Sequence, residues 1–335
     1  MTTTDAPVTP VPGGLRQNRQ NQPGGLRQNR QALDDVRVAR TRSELDAARG
    51  ALTGRVVLVP TMGALHDGHR ALMRAARALG DHVIVSIFVN PTQFGPGEDL
   101  DRYPRTPAAD LEVCAEEGAA FVFLPETQEM YSSNAGIRVD GGGLAKRLEG
   151  AVRPGHFSGV LTVVAELFGM VSPDAAVFGE KDYQQLVLIR QMSRQLALGV
   201  EVYGVPTVRE SDGMALSSRN RYLDQHQRVV AGALSRALRA GIAAFEGGRR
   251  HVPGSEVGQA PATAAPTQGA AVLQAARSVL DAEPDLAVDY LVLTDPDLSS
   301  PVESGPARLL VAARLGSTRL IDNVALTLGN PEGDG

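Results

Sequence analysis

The chain has 335 residues, 43% hydrophobic and 21% charged, an ordinary globular composition long enough for two domains. A net charge of −5 leaves no basic excess for broad nucleic-acid binding, no apolar stretch reaches membrane-spanning length, and no secretory signal opens the N-terminus. The single cysteine, Cys114, excludes an internal disulfide or a cysteine-based zinc cluster, and together these features point to the cytoplasm.

Residues 1–32 stand apart. The nonapeptide Pro-Gly-Gly-Leu-Arg-Gln-Asn-Arg-Gln occurs at 12–20 and again at 23–31, with only two leucines to bury. Such a segment cannot offset its ordering entropy, so it reads as a disordered, basic tail.

An apolar run at 55–59 leads into Pro60-Thr-Met-Gly-Ala-Leu-His-Asp-Gly-His69. A strand turning into a helix leaves the first N–H groups of that helix unpaired, which makes an anion site. In this reading Gly63 allows close backbone approach to a ligand, and Gly68 removes a side chain next to His69. His66 and His69 share a helix face, so both imidazoles can donate to phosphate oxygens and, when protonated, offset negative charge.

Further strands are expected at 82–89, 120–124, 175–178 and 200–205, with helices at 69–79, 107–118, 158–171 and 182–198. Thr106-Pro107 supplies an N-cap and an N1 proline to the second of these helices, which holds Cys114 as a buried thiol. Near-continuous apolar strands separated by helices imply a doubly wound parallel sheet, with ligands at the carboxyl ends of its strands.

Several polar clusters fall at such ends. Val89-Asn-Pro-Thr-Gln-Phe94 offers Asn90 and Gln93 to orient a small substrate, or is a proline turn capped by Asn90. Val177-Phe-Gly-Glu-Lys-Asp-Tyr-Gln-Gln185 offers Lys181 to phosphates, Asp182 to ribose hydroxyls and Gln185 one turn on, although acidic residues here also suit a helix N-terminus. Gly213 to Arg221 places Ser217, Ser218 and the bidentate donor Arg219 together, unless it is only an interdomain loop. In Glu149 to Gly159, Arg153 is a candidate anion binder and His156 packs on Phe157. No P-loop and no G-x-G-x-x-G fingerprint follows the first strand, which excludes a P-loop NTPase and a standard dehydrogenase.

After about residue 208 the rhythm changes. A helix at 225–245, a flexible insertion at 247–269 rich in Gly, Pro, Ala, Thr and Gln, and a helix at 270–282 precede strands at 287–293 and 308–314. A hairpin through Gly316-Ser317 leads to 318–324. The domain division is therefore a tail at 1–32, a Rossmann-like domain at 33–208, and a small α+β domain at 209–328.

Taken together and in this order, the blocks Pro60–His69, Phe88–Phe94, Leu148–Gly159, Phe178–Gln185 and Met214–Arg221 resemble the pantothenate synthetase (pantoate–β-alanine ligase) family over roughly residues 35–325. His66-Asp-Gly-His69 matches the H-x-G-H signature of the nucleotidyltransferase superfamily to which that family belongs. The resemblance implies an α/β, Rossmann-like fold of that type and the ATP-dependent condensation of pantoate with β-alanine to pantothenate, AMP and pyrophosphate, by way of a pantoyl adenylate. It assigns catalysis to His69, His66 and Lys181. It gives ATP contacts to Met62, Gly63, His66, His69, Gly179, Glu180, Lys181, Asp182, Val208, Leu216, Ser217, Ser218 and Arg219. Gln93 and Gln185 would hold pantoate, with Asn90 supporting the pocket. The resemblance also implies Mg²⁺ on the ATP phosphates with few protein ligands, and a homodimer.

Two other readings remain. Another adenylyl- or cytidylyl-transferase of H-x-G-H type would release pyrophosphate without forming an amide, but Gln93 and Gln185 would then give way to basic residues. A non-catalytic nucleotide-binding regulator is opposed by the intact His66, His69, Lys181 and Arg219.

Overall fold

The structure, a computed structural model, describes residues 36–131, 136–249 and 267–329. The tail at 1–32 lies outside them, as does most of the expected insertion.

Six strands form one sheet: β1 (Arg37–Ala39), β2 (Val56–Thr61), β3 (His82–Ile87), β4 (Phe121–Phe123), β5 (Ala175–Gly179) and β6 (Glu201–Val205). They lie in the order β1-β4-β3-β2-β5-β6, every pair parallel. The intervening helices are α1 (Arg42–Gly50), α2 (Asp67–Leu79), α3 (Pro107–Glu116), the short α4 (Thr127–Met130) and α5 (Glu149–Val152), α6 (His156–Val171) and α7 (Tyr183–Gln195).

Strand side chains alternate between two cores. Val56 and Leu58 of β2 pack with Leu45, α6 and α7, while Val57 and Val59 pack with Leu72, Met73, Ala76 and Cys114 of α2 and α3. Both faces are therefore covered, which is why these strands read as unbroken apolar runs. A fully buried Leu58 or Phe123 contributes roughly 1.5–3 kcal/mol of transfer free energy.

The sheet reverses its winding between β2 and β5. These strands pair only at Val57–Ala175 and Leu58–Ala176, so beyond Leu58 they part. Pro60 falls in the parted stretch, where a missing N–H is tolerated. The resulting crevice is the switch point at which doubly wound sheets bind ligands.

The C-terminal part carries α8 (Gln225–Arg249), α9 (Gln268–Asp281) and an antiparallel sheet of β7 (Leu286–Thr294), β8 (Gly305–Leu315) and β9 (Thr318–Leu328). Leu309 and Val311 of β8 face α8 and α9, whereas Leu310 joins the core of the parallel domain. Gly316 has φ +58 at the first central position of the β8–β9 hairpin, where a type II′ turn takes glycine.

Most boundaries move by one to four residues from the expected ones. Four elements were not anticipated: β1, α1 and the single-turn α4 and α5. β1 is too short to show a period, but α1 has a sequence signature that could have revealed it, since Thr41 and Glu44 form a reciprocal capping box. The insertion expected at 247–269 is corrected at both ends. α8 runs on to Arg249, and α9 starts at Gln268 because the Thr267 hydroxyl accepts from the Ala270 N–H. Residues 250–266 are outside the described set. Thr106 does not cap α3 with its side chain; its hydroxyl donates to Asp110 instead.

Candidate active site

The crevice holds a cavity of about 240 Å³, reached by the carboxyl ends of β2, β3, β5 and β6. It brings together Met62, His66, His69, Asn90, Gln93, Gly179, Lys181, Asp182, Gln185, Val208, Leu216, Ser217, Ser218 and Arg219, residues drawn from four separated sequence blocks. A larger cavity of about 440 Å³ continues from it between the two domains, sharing Arg153, His156, Lys181, Asp182, Gln185, Ser217 and Arg219.

Two expected ATP residues are elsewhere. Gly63 does not line the cavity; it has φ +83, and a Cβ there would stand 3.0 Å from the Asp110 carboxylate and 3.2 Å from Ile87. Its glycine serves the turn and this packing rather than ligand approach. Glu180 points to the C-terminal sheet and pairs with Arg308 at 3.1 Å. Gly68 likewise yields to a different neighbour, because a Cβ on it would meet the His66 ring at 2.9 Å, not that of His69.

The start of α2 is self-contained. His66 is its N-cap, and His66 Nδ1 accepts from the Gly68 N–H at 3.2 Å, while His69 Nδ1 accepts from the His66 N–H at 3.2 Å. The His69 N–H goes to the His66 carbonyl. Those amide donors, expected to be free for an anion, are therefore committed within the turn. The rings sit 4.1 Å apart. Because each Nδ1 accepts a hydrogen bond, the ring proton of the neutral imidazole resides on Nε2, leaving Nε2–H as the donor each ring can offer.

Protonation is disfavoured at both rings. Burial, then the Lys181 ammonium, brings His66 down to about 4; burial, then His66 itself, brings His69 down to about 3. At neutral pH the pair supplies direction, and Lys181 supplies the charge beside it.

The amide pocket is set by Asn90, which is 1% exposed. Asn90 Oδ1 accepts from the Thr92 N–H, the Thr92 hydroxyl and the Tyr131 hydroxyl. Its Nδ2 donates to Gln93 Oε1 at 3.0 Å and to the Gly159 carbonyl at 3.2 Å. With its oxygen occupied, Gln93 turns its Nε2 donor toward Met62 Sδ at 3.2 Å, a weak acceptor that a carboxylate readily replaces. Gly159 lets α6 approach this turn, since a Cβ there would lie 2.4 Å from the Thr92 carbonyl oxygen. Val160, Val163, Val164 and Leu167 of α6 then form an apolar wall beside the two glutamines.

Arginines at the rim are already paired. Arg219 donates to both oxygens of Asp99 at 2.9 and 3.0 Å, and Arg153 to both of Glu98 at 2.8 and 2.6 Å. His156 Nδ1 donates to the Gln93 carbonyl at 2.8 Å, its Nε2 accepts from Arg153, and its ring packs on Phe157. Burial, then Arg153, lowers His156 to about 4.

Residues missed in the sequence tie Lys181 to the C-terminal domain. Asn323 Nδ2 donates to the Glu180 and Lys181 carbonyls at 2.9 and 3.0 Å. Arg308 donates to Asn323 Oδ1 and stacks 3.7 Å from the Tyr183 ring centroid. Nothing local marks a strand asparagine as the partner of a loop 140 residues away. Glu98 and Asp99 gave a weak sign, as acids between turn residues directly after the Asn90–Gln93 block.

Comparison with known proteins gives a consistent picture. The pantoate-β-alanine ligase family profile matches residues 36–325. The pantothenate synthetase of Mycolicibacterium smegmatis is 56% identical over 280 residues, spanning 83% of each chain. That of a Nocardioides strain is 55% identical over 87% of this chain and 86% of its own. The structure superposes on pantothenate synthetase from Thermus thermophilus with a TM-score of 0.77 at 46% identity, over 86% of this chain and 99% of that one. It also superposes on a Francisella tularensis pantoate-β-alanine ligase, solved with β,γ-ATP and β-alanine, with a TM-score of 0.67 at 30% identity over 86% and 97%.

Proposed function

This chain belongs to the pantoate-β-alanine ligase family, and we propose that it condenses pantoate with β-alanine to pantothenate through a pantoyl adenylate, converting ATP to AMP and pyrophosphate. The observation that carries the two-step route is the pairing, in one crevice, of phosphate donors (the His66 and His69 rings and Lys181) with an amide pocket (Gln93 and Gln185) on an apolar wall.

In the first step a pantoate carboxylate oxygen attacks the α-phosphorus, the bond to the β-phosphate breaks, and pyrophosphate leaves with the electron pair. The chemistry concentrates negative charge and calls for in-line positioning and electrostatic stabilisation rather than a protein nucleophile. His66 and His69 donate through Nε2–H and Lys181 through its ammonium. With Nδ1 taken by the His66 N–H, His69 offers the phosphates its Nε2–H. Gln93 and Gln185 orient the carboxylate without repelling it, and α6 takes the two methyl groups of pantoate. Met62, Gly179, Val208 and Leu216 wall the nucleoside, with Asp182 at the ribose and Ser217 and Ser218 at the phosphates.

In the second step the uncharged amine of β-alanine attacks the acyl carbon, the bond to the phosphate oxygen breaks with its electrons going to AMP, and the nitrogen releases a proton. Arg219 would meet a phosphate through Nη1 with Asp99 still on Nε and Nη2, or by exchanging that carboxylate for the phosphate. Mg²⁺ would be carried by the phosphates themselves, with Asp182 as the adjacent carboxylate lining the crevice. That ion would neutralise the leaving pyrophosphate. Family membership further supports a homodimer, and the single cysteine supports a cytoplasmic location. No helix among the described residues is long and apolar enough to cross a membrane.

The test is product formation with substrates omitted one at a time. Pantothenate and AMP should appear in equal amounts, and only with ATP, pantoate and β-alanine together. Failure to make pantothenate at saturating substrates would overturn the ligase reading. Light scattering on the purified protein tests the dimer.

A further inference from the structure

The turn that delivers His66 to the crevice is strained, and a buried acid from another element holds it. Gly63 has φ +83 and Ala64 φ +51, so two successive residues occupy the left-handed region, the second of them with a side chain. A non-glycine residue there is strained and persists only where its surroundings impose it. The Thr61 hydroxyl takes the Gly63 N–H at 3.3 Å, and one carboxylate takes the next two amides. Asp110, in the first turn of α3 and 2% exposed, accepts from the Ala64 N–H at 3.1 Å and the Leu65 N–H at 2.8 Å, one on each oxygen. The Thr106 hydroxyl donates to the second oxygen at 3.2 Å. Asp110 lines neither cavity, so no ligand shares it.

The element bearing this acid is itself fixed to the helix that bears His69. Glu117, one residue beyond α3, receives Arg70 at 3.1 Å and Arg74 at 2.8 Å, both from α2, and is 6% exposed. α3 thus grips the histidine motif from both sides, at the turn before it and along the helix after it. Because the His66 N–H donates to the His69 ring and the His69 N–H to the His66 carbonyl, a small rotation of 64–65 carries both Nε2 atoms with it.

We propose that Asp110 is a positioning residue for adenylate formation, setting the direction of the His66 and His69 Nε2–H donors by clamping the left-handed turn at Gly63–Ala64. It takes up the Ala64 and Leu65 amides of the turn, and the crevice offers phosphate the side-chain donors of His66 and His69. The inference rests on the proposed ligase reaction for its kinetic readout and on the turn alone for its spectroscopic one.

Asp110→Asn keeps the shape but replaces one acceptor with a donor facing an amide. Pyrophosphate–ATP exchange with pantoate should fall at least about tenfold, on the scale of a misaimed transition-state donor. The KM of β-alanine and the melting temperature should stay close to wild type. In long-range ¹H–¹⁵N spectra of the ligand-free protein, wild-type His66 and His69 should both show the Nε2–H tautomer, and in Asp110→Asn these signals should shift while those of His156 do not. Exchange within twofold of wild type, or unchanged His66 and His69 signals, would overturn the proposal.

Should Asp110→Asn not fold, Thr106→Val removes a single donor to the same carboxylate. A twofold to fivefold loss of exchange there supports the clamp, and wild-type exchange overturns it. If the wild-type enzyme makes no pantothenate, the ligase reading fails, while the tautomer spectra still decide the role of Asp110.

Discussion

At the floor of the crevice, His66 and His69 are uncharged rings whose Nδ1 atoms are spent on backbone amides and whose only outward donors are Nε2–H groups. Along its rim, Arg153 and Arg219 carry full charge but already give it to Glu98 and Asp99. The floor asks a ligand for geometry and the rim asks it for an exchange of partners. Neutral donors in a buried site avoid the cost of desolvating a cation, and they act on charge as it develops. Paired arginines keep the rim soluble and ordered, yet their contribution to binding is the difference between two anions. The two regions should therefore respond differently to mutation, salt and pH.

The largest effect is expected at the floor. His69→Ala or Lys181→Ala should lower kcat by about a hundredfold or more, the scale of one lost transition-state donor, with the melting temperature little changed. Rates within threefold of wild type for either would mean that charge does not develop there. Next come the amides. Gln93→Ala and Gln185→Ala should each raise the pantoate KM about tenfold, as for loss of a hydrogen bond to a carboxylate of roughly 1.5 kcal/mol, and leave the ATP KM within about twofold. An equal rise for ATP would move the glutamines out of the pantoate pocket.

At the rim the sign reverses. Asp99→Asn should lower the ATP KM about threefold by freeing Arg219, and less so at high salt, in keeping with a partly exposed pair. A KM that rises instead would show Asp99 to be an organiser of the rim and not a competitor.

The smallest effect concerns pH. His66, His69 and His156 fall from an ordinary 6.5 to about 4, 3 and 4. Between those values and 6.5 the unfolded chain binds protons that the native protein refuses. Stability is therefore flat above about pH 6.5 on their account and declines as the pH falls toward 4. Urea denaturation at pH 7.5 and 5 should show the decline, reduced in His69→Gln. An identical decline in that variant would exonerate the floor.

Legibility in the sequence followed the range of the interaction. The parallel sheet was readable because burial on both faces writes continuous apolar runs at β2, β3 and β5, and the hairpin because Gly316 sits where the turn needs it. β1 was not, since three residues carry no period. Within the site, residues next to strand ends in the chain (His66, Gln93, Lys181, Gln185) could be nominated, because the switch point gathers strand ends by construction. Gly63 and Glu180, nominated for ATP, share one placement: each lies beside a ligand-facing residue in sequence but turns toward Asp110 or Arg308 in space. Asn323 and Asp110 left no sign at all, being ordinary polar residues until the fold sets them against a particular carbonyl or amide.

By itself, then, the sequence determined the class of fold, the strand ends at which chemistry gathers and the kinds of side chain present there, because all three are carried by periodicity and neighbours along the chain. Only the tertiary structure decided that the histidines are neutral Nε2–H donors, that the rim arginines are already paired, and that a carboxylate on α3 holds the turn at Ala64. Protonation, pairing and strain depend on burial and on partners up to 140 residues distant, and no local pattern records them.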